Sequence, residues 1–485
     1  MEGASLKKNF FMNALLTVSS IVFPLISFQY VSRVLQPAGV GKVSFAQSFV
    51  IYFNMVAKLG IPTYGIRACA RVRDDRERLS KTARELLTIN LVMAVLSYAL
   101  LFLTVIFVPR FQEDRWLYIL MSLEILLEAV GMEWLYKGLE KYGYITVRSM
   151  IFKAVALVIL FFAVRSTGDH MKYGAVLLLS GYGSFILNFI YSRKYVDLGG
   201  KWTLEISPHI KPVLIFFAMS CATTVYTNLD TVMLGFMTND TEVGYYHVAV
   251  KAKTVLVALI TSLGAVVLPR ASYLVENGMM DDFRKMCIKA TRFVAVSALP
   301  LMVYFMLFAK EGISLLSGSG YYPAIMPMRI IMPTLVFIGL TNVMGVQILL
   351  PTGREKTVFY SVAAGAVADL IINLMLIPTM GASGASAGTL VAEVIVLIIQ
   401  TWALRKEIPG MLPGAGVLKV LPAIALATAG SFWILNSDWH YVIRFFLSAF
   451  LFFGIYALSL LALKEELVLE VWEGVCDRMK RILSH

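Results

Sequence analysis

The sequence predicts an all-α polytopic membrane protein with about fourteen transmembrane helices. Hydrophobic residues make up 58% of the 485 residues and charged residues only 15%, and the mean hydropathy is +0.74. A helix needs roughly 20 apolar residues to cross about 30 Å of hydrocarbon, and stretches of that length recur from Phe10 to Leu463. These observations leave no soluble fold as a serious alternative.

The predicted spans are separated by short polar loops. Their approximate ranges are 10–31, 41–61, 85–108, 116–136, 144–164, 172–192, 212–235, 244–268, 291–309, 326–350, 357–377, 384–404, 416–435 and 441–463. The longest loops, 62–84 and 269–290, are basic and amphipathic. Because no loop has room for a soluble catalytic domain, we expect the function to be carried out within or across the bilayer.

The basic residues indicate which loops face the cytoplasm. Of the 43 Lys and Arg residues, 30 lie at the N-terminus, in the loops that follow even-numbered spans or in the tail; 9 follow odd-numbered spans and 4 lie within spans. Because positive residues are retained on the cytoplasmic side, both termini are predicted to be cytoplasmic. Membrane insertion and anionic lipid thus account for the formal net charge of +12, and binding to nucleic acid is not expected.

Similar patterns in the two halves of the chain suggest an internal repeat. The first set is Val34-Leu35, Val40-Gly41 and Gly60-Ile61-Pro62, and the second is Met233-Leu234, Val243-Gly244 and Val267-Leu268-Pro269. The repeat predicts an N-terminal lobe of spans 1–6 at 1–210 and a C-terminal lobe of spans 7–12 at 211–410. An extra helix pair and a cytoplasmic tail follow at 411–485. The small-residue run 381–388 at the start of span 12 predicts close helix packing.

Motifs for enzymatic chemistry are absent from the sequence. The run Gly39-Val40-Gly41-Lys42-Val43-Ser44 looks like a fragment of a phosphate-binding loop, but its first glycine is missing and Val43 occupies the hydroxyl position. We interpret it as a tight loop between spans 1 and 2. There is no HExxH or Asp-x-Asp motif, and the four cysteines form no CxxC pair. We therefore predict no enzyme, no catalytic residue, no metal site and no cofactor.

Ionisable residues inside the apolar spans are the candidate functional residues, because a charge at membrane depth is costly and usually faces a partner or a water-filled cavity. The cations are Arg33 at the outer end of span 1, Lys58, Lys153, Lys251 and Lys253. The anions are Glu124, Glu128, Asp230, Asp369 and Glu393. Glu124 and Glu128 are four residues apart, so they share one helix face.

Two interpretations of these residues remain open. In the first, they form internal ion pairs, Lys153 with Glu124 or Glu128 and Lys251 with Asp230. In the second, the cations line a hydrated central cavity and bind an anionic headgroup, such as the diphosphate of a lipid-linked sugar. Lysine suits a phosphate that must be released again, because it is a mobile point charge rather than a rigid fork.

Several segments carry a resemblance to a known family. In the first lobe they are 23–26, 30–35, 39–43, 45–48 and the run Leu59-Gly60-Ile61-Pro62-Thr63-Tyr64-Gly65-Ile66-Arg67; in the second they are 230–235, 242–246, 267–270 and 381–385. These segments resemble bacterial oligosaccharide flippases, the Wzx-type O-antigen and capsule translocases of the polysaccharide transporter family. The likeness extends over most of residues 5–405.

The resemblance implies the fold of the multidrug/oligosaccharidyl-lipid/polysaccharide exporter superfamily, with two pseudo-symmetric six-helix lobes around a central cavity plus two C-terminal helices. It implies a flippase that moves undecaprenyl-diphosphate-linked oligosaccharide repeat units from the inner to the outer leaflet of the bacterial cytoplasmic membrane by alternating access. The product would serve cell-surface polysaccharide biosynthesis. The family's cationic cavity fits Arg33 and the intramembrane lysines, and a polysaccharide polymerase and glycosyltransferases are the implied protein partners.

Other functions of the same fold stay open at this point. They are a cation-coupled multidrug antiporter and a flippase for a lipid II-type peptidoglycan precursor. A membrane polysaccharide polymerase or glycosyltransferase would need a larger external loop with catalytic carboxylates or arginines. Because no nucleotide motif is present, an ion gradient, the membrane potential or removal of substrate outside must drive transport, and Asp230 and Asp369 are candidates for proton or sodium coupling.

Overall fold

The computed structural model describes residues 6–199, 205–406, 417–470 and 472–473. Regular structure in these ranges is entirely helical, which confirms the predicted all-α class. The first ten helices are α1 (Leu6–Lys58), α2 (Ile61–Arg71), α3 (Arg76–Phe107), α4 (Pro109–Gln112), α5 (Arg115–Gly131), α6 (Glu133–Gly138), α7 (Tyr142–Ala163), α8 (His170–Leu178), α9 (Phe185–Ser192) and α10 (Ser207–Met237). The others are α11 (Asp240–Glu276), α12 (Met280–Leu307), α13 (Ala309–Ser317), α14 (Ile325–Ile331), α15 (Thr334–Thr341), α16 (Glu355–Met380), α17 (Ala382–Ala403), α18 (Val420–Phe432) and α19 (Tyr441–Ala462).

The number of helices that can cross a membrane is lower than fourteen in the described residues. Ten helices are long and apolar enough, or eleven if the bent pair Ser319–Ile331 and Thr334–Leu349 counts as one span. Helix α5, at the predicted span 4, has only 17 residues, and the apolar stretch Val420–Asn436 is also short. The count of about fourteen therefore stays a prediction.

Helix α1 covers the predicted span 10–31 and residues 41–58 of the predicted span 41–61 in one run of 53 residues. At 1.5 Å per residue a straight helix of that length would extend about 80 Å, more than twice the hydrocarbon thickness. The run is broken at Gln36, which has φ 59° and ψ 176°, and Pro37 follows. The predicted loop over 39–44 is thus wrong in position, because the break lies at Gln36 and residues 39–44 are helical.

The chain divides into two compact units, Met1–Gly244 and Tyr245–His485. In the first unit α1 is the central helix, since it contacts α3, α5, α7 and α10. In the second unit α16 and α17 form a closely packed hairpin, and α17 also contacts α14 and α15. The predicted domain boundaries, 1–210, 211–410 and 411–485, stay predictions.

Glycines allow the closest helix contacts within each unit. A Cβ on Gly384 would lie 2.5 Å from the carbonyl oxygen of Leu376, which accounts for the small-residue run at the start of α17. In the first unit, a Cβ on Gly41 would lie 1.7 Å from the carbonyl oxygen of Asp240. Arg110 binds the Asp240 carboxylate from α4. The second half of α1 therefore packs directly against the start of α11.

The C-terminal helices α18 and α19 are an integral part of the second unit. Buried Tyr304 of α12 donates its hydroxyl to the carbonyl of Phe445 on α19 at 2.8 Å. Arg444 of α19 forms an ion pair of 3.3 Å with Glu311 of α13, whose side chain is 2% exposed. An ion pair at this depth binds α19 firmly, because separating its two groups would leave one charge buried alone.

The close contact at Gly41 leads to the first prediction. Gly41→Ala should lower stability strongly, by about 3 kcal/mol or more, because its methyl group meets backbone rather than a movable side chain. The matched control is Gly454→Ala in α19, where a Cβ would meet nothing within 4 Å; its stability should be unchanged or slightly higher. The measurement is the thermal unfolding midpoint of the detergent-solubilised protein. Equal midpoints for the two variants would contradict the packing described here.

Candidate functional site

The first unit contains a cluster of charged and polar side chains between α1 and α5. Lys58 Nζ lies 2.7 Å from Glu128 Oε1, and the two side chains are 29% and 20% exposed. Asn54 Nδ2 donates to Glu128 Oε2 at 2.9 Å and to Glu124 Oε1 at 3.3 Å. Asn54 is fully buried and Glu124 is 1% exposed. We call these four residues the α1–α5 cluster.

Helical spacing and two chain breaks position the cluster. Asn54 and Lys58 are four residues apart on α1, as Glu124 and Glu128 are on α5, so each pair shares a helix face. Helix α1 ends at Lys58, and Leu59 and Gly60 then adopt positive φ values of 45° and 76°. A Cβ on Gly60 would lie 2.5 Å from the backbone nitrogen of Phe217 on α10, so only glycine allows this approach. Lys58 is therefore held at a fixed corner of the chain.

A cavity of about 90 Å³ adjoins the cluster, lined by Lys58, Pro62, Asn90, Glu128, Glu133, Trp134, Lys137 and Phe185. Glu133 and Lys137 form an ion pair of 2.7 Å on α6. The buried polar atoms Asn90 Oδ1 and Trp134 Nε1 have no hydrogen-bond partner in the described structure. Charged and polar side chains thus line a cavity that adjoins the Lys58–Glu128 pair.

Lys153 and Arg33 lie elsewhere in the first unit. Lys153 Nζ on α7 donates to the hydroxyls of Ser19 and Ser20, both at 3.0 Å. Arg33 is exposed, and its Nη1 donates to the backbone carbonyl of Gln29 at 2.6 Å.

The predicted pairing of Lys153 with Glu124 or Glu128 is wrong, because α7 carries Lys153 to the first half of α1. The cation that pairs with Glu128 is Lys58. The sequence placed Lys58 and Glu128 in predicted spans, but it gave no indication that the helices carrying them are neighbours.

Acidic and polar side chains also meet within the second unit. Asn373 Nδ2 donates to Asp369 Oδ1 at 3.2 Å on α16. Gly388 of α17 faces them, and a Cβ there would lie 2.2 Å from Asn373 Oδ1 and 2.7 Å from Asp369 Oδ1. Glu393, one turn further on α17, is 6% exposed. The α16–α17 hairpin thus brings Asp369 and Asn373 against Gly388, and it also buries Glu393.

The other predicted site residues are divided between the units. Lys251 and Lys253 are half-buried on α11 in the second unit, whereas Asp230 is buried on α10 in the first. The pairing of Lys251 with Asp230 therefore stays a prediction. So does a single cationic cavity shared by Arg33, Lys58, Lys153, Lys251 and Lys253.

A second buried network in the first unit was not predicted. Glu85 of α3 is 4% exposed, lies 2.9 Å from His209 Nε2 and accepts the backbone N–H of Glu205 at 2.9 Å. His209 Nδ1 lies 2.8 Å from the hydroxyl of Tyr64. Lys81 hydrogen-bonds Glu205 and holds the pKa of that carboxyl below its ordinary value. This network ties α2 and α3 to the start of α10.

A basic groove of about 1470 Å³ lies next to this network. Its basic lining residues are Arg76, Arg78, Lys81, Arg84 and Arg193, and its acidic ones are Asp75, Glu77 and Asp197. The excess of positive charge fits the cytoplasmic orientation predicted for these loops. Residues 200–204, which follow the groove, lie outside the described residues.

A family model described as polysaccharide biosynthesis protein matches residues 6–275, which is more than half of the chain. The chain belongs to the polysaccharide biosynthesis protein family. The resemblance predicted from the segments of the first lobe is thereby confirmed.

Two relatives of this family member come from enteric bacteria and share the name "Putative O-antigen transporter". The protein from Shigella dysenteriae is 25% identical over 412 residues, which cover 82% of this chain and 100% of the relative. The protein from Escherichia coli strain K12 is 22% identical over 413 residues, covering 83% and 97%. In the described residues, ten helices are long and apolar enough to cross a membrane, so this family member is a multi-pass membrane protein.

Two solved structures have a similar fold. The lipid II flippase MurJ in an inward closed conformation has a TM-score of 0.71 at 15% identity, covering 93% of this chain and 99% of MurJ. An inward-facing multidrug resistance MATE transporter of the MOP superfamily has a TM-score of 0.61 at 13% identity, covering 80% and 94%. These likenesses show that the chain shares the helical fold of the two structures, in agreement with the predicted all-α class. The relatives with named activities are transporters and flippases, in agreement with the prediction that the chain is not an enzyme.

The α1–α5 cluster gives the second prediction. Lys58→Ala and Glu128→Ala should each cost about 1–3 kcal/mol, because each leaves a partly buried charge without its partner. The double variant should cost less than the sum of the two, by about 1 kcal/mol or more. Chemical unfolding in detergent micelles measures all three values.

An exposed ion pair is the control. Lys285 lies 3.5 Å from Asp282, and the two side chains are 78% and 51% exposed, so Lys285→Ala should cost less than about 1 kcal/mol. Additive losses at Lys58 and Glu128 would mean that the two groups do not interact in the folded protein.

Proposed function

We propose that this protein is a flippase for lipid-linked oligosaccharides, with an undecaprenyl-diphosphate-linked repeat unit as its substrate. The observation that carries the proposal is the family match over residues 6–275. The chain also matches two relatives named as putative O-antigen transporters, over 100% and 97% of their length. The fold of a lipid II flippase supports the same class of cargo, a glycan on a polyprenyl carrier.

The direction of transport would be from the inner to the outer leaflet of the bacterial cytoplasmic membrane, by alternating access, for cell-surface polysaccharide biosynthesis. The excess of basic residues in alternate loops supports cytoplasmic termini and a cytoplasmic loading side. A polysaccharide polymerase and glycosyltransferases would act on the same glycan and are the proposed protein partners. Catalytic residues are not needed, because no covalent bond changes during translocation.

The proposed substrate contacts are the intramembrane cations Arg33, Lys58, Lys153, Lys251 and Lys253. Lys153 is the clearest candidate in the first unit, because its described contacts are two serine hydroxyls rather than a carboxylate. An ammonium group with neutral partners keeps its charge available for a phosphate. Lys58 is already neutralised by Glu128, so its role in binding would require that this pair opens. Asp230 and Asp369 remain the proposed candidates for ion coupling.

A multidrug antiporter is the second candidate, since a MATE transporter has the same fold. An exporter of organic cations needs acidic side chains toward its cargo, whereas a flippase for a diphosphate needs basic ones. Removal of an intramembrane cation should therefore slow transport by a flippase for a diphosphate, whereas it should not slow transport by an exporter of organic cations.

The third prediction tests the proposed function. Sealed proteoliposomes are loaded with undecaprenyl-diphosphate oligosaccharide, and a glycan-modifying enzyme is added outside. The wild-type protein should make the protected inner-leaflet glycan accessible. Lys153→Ala and Lys251→Ala should slow this step by about tenfold or more, since a charge-assisted contact contributes about 1.5–3 kcal/mol.

Lys285→Ala is the matched control, because Lys285 pairs with an exposed carboxylate, and its flipping rate should equal that of the wild type. Each protein must elute as a folded, monodisperse species before it is assayed. Unchanged protection with the folded wild-type protein would contradict the flippase proposal and favour the antiporter.

A further inference from the structure

We propose that Arg148 and the tyrosines beside it form a binding site for the phosphate group of an anionic membrane lipid. The site lies in the first unit, where α7 begins and α9 ends, at the predicted cytoplasmic side of the membrane. It shares no residue with the α1–α5 cluster. Because the site is defined by the contacts of Arg148 alone, it does not depend on the proposed cargo.

Arg148 of α7 is a buried cation without a counter-ion in the described residues. It is 6% exposed, and its donors Nε and Nη1 are buried without a hydrogen-bond partner. The guanidinium carbon lies 5.5 Å from the ring centroid of Tyr144 and 5.7 Å from that of Phe185. Aromatic rings attract a cation, but they do not neutralise it. Since an unpaired buried charge is costly and arginine stays protonated, we expect Arg148 to bind an anion.

Two carboxylates from the same part of the chain already have cationic partners. Glu133, which interacts electrostatically with Arg148, is ion-paired with Lys137 at 2.7 Å. Glu140 binds Arg73 at 2.9 Å. We therefore expect the anion that pairs with Arg148 to be a ligand rather than a side chain of the described chain.

Four tyrosines form a stacked cluster beside Arg148. The ring centroid of Tyr144 lies 5.2 Å from that of Tyr136 and 4.6 Å from that of Tyr191, and Tyr195 lies 5.7 Å from Tyr191. Tyrosine is enriched where the membrane meets water, because its ring is apolar and its hydroxyl is polar. The cluster thus indicates that this end of α7 lies at the level of the lipid headgroups.

Two lysines add positive charge to the tyrosine cluster. Lys194 lies 5.3 Å from the ring centroid of Tyr191 and donates to its hydroxyl at 3.1 Å. Lys141 lies 5.9 Å from the ring centroid of Tyr195. Within the described ranges neither lysine forms an ion pair with a carboxylate. The region around the cluster therefore has an excess of positive charge that favours an anionic ligand.

The surface next to Arg148 is apolar, as contact with acyl chains requires. Val147 and Ile151 of α7 and Ile186 and Ile190 of α9 are all more than half exposed. Arg148 lies about 9 Å along the axis from the start of α7. This depth matches the boundary between the headgroups and the hydrocarbon core, which is about 30 Å thick.

A phospholipid supplies both of the partners that this site needs. Its phosphate oxygens match the planar fork of a guanidinium group, and its acyl chains cover the exposed apolar side chains of α7 and α9. A lipid with a net negative charge should bind better than a zwitterionic one, because Lys141 and Lys194 lie near Arg148 in the same tyrosine cluster. Inorganic phosphate gains nothing from the apolar surface and should bind more weakly.

The fourth prediction concerns the binding of phosphatidylglycerol to the purified protein, measured by native mass spectrometry in detergent. The wild type should retain one phosphatidylglycerol, and Arg148→Met should bind it about tenfold or more weakly, because a charge-assisted contact is lost. Arg148→Lys keeps the charge without the fork and should lie between them. Arg165→Met is the matched control, since Arg165 is exposed just beyond the other end of α7; it should bind like the wild type.

Thermal unfolding separates lipid binding from a purely structural role of Arg148. Without anionic lipid, Arg148→Met should unfold at the same temperature as the wild type or at a higher one, because it removes an unpaired buried charge. Added phosphatidylglycerol should raise the midpoint of the wild type but not that of Arg148→Met. A structural role would instead lower the midpoint of Arg148→Met in the absence of lipid.

Phosphatidylcholine and inorganic phosphate are the comparison probes. Both should raise the wild-type midpoint less than phosphatidylglycerol does. Equal binding of phosphatidylglycerol by the wild type and Arg148→Met would overturn the site, and an equal response to inorganic phosphate would overturn its assignment to a lipid. None of these measurements involves transport, so a negative result would leave the proposed flippase function unaffected.

Discussion

The structure depends on one constraint: a charge that is buried among apolar helices needs a charged or polar partner within the same compact unit. Lys58 with Glu128, Glu85 with His209 and Arg444 with Glu311 all obey it. Hydrocarbon offers no hydration to replace a missing partner, so each pair fixes the helices that carry it. The α1–α5 pair and the Glu85 network fix the first unit, and the Arg444 pair fixes the end of the second.

Close backbone packing adds to these pairs where side chains would keep helices apart. Gly41 lets the second half of α1 pack against the start of α11. Gly60, which lies just after α1, lets the chain approach α10 closely. In the second unit Gly384 and Gly388 do the same for the α16–α17 hairpin, and Gly388 also makes room for Asp369 and Asn373. Lipid-exposed helices gain little from hydrophobic association with each other, so small residues and polar contacts must hold them together. The break at Gln36 lets one continuous run of chain contribute two helices to this packing.

The sequence was sufficient for the helical class and the family, because hydropathy and local segments encode both. Helical spacing also predicted that Glu124 and Glu128 share a face. The partner of Glu128 was not predictable, since Lys58 lies 70 residues away and nothing local indicates that α1 and α5 are neighbours. Asn54 carries no charge and therefore gave no signal within an apolar span. The loop expected at 39–44 was misplaced because Gly41 serves helix packing against Asp240 rather than a turn.

Two features of the site follow from this balance of charge. A transporter for an anionic lipid headgroup needs cations that are not permanently neutralised, and Lys153, held by two serines, fits that requirement better than Lys58 does. A carboxylate that is already paired with an ammonium group, as Glu128 is with Lys58, is by contrast neutralised before any substrate binds. The structure thus separates candidates that the sequence could only list together.

The most direct measurement of this account is an electron cryo-microscopy structure of the protein in lipid nanodiscs, at a resolution that shows side chains and ordered water. The account predicts Lys58 Nζ in contact with Glu128, Asn54 between the two carboxyl groups, and water in the cavity next to them. A structure in which Lys58 points toward the lipid and contacts neither acid would contradict it, because the cluster would then lack the charge balance from which its chemistry follows.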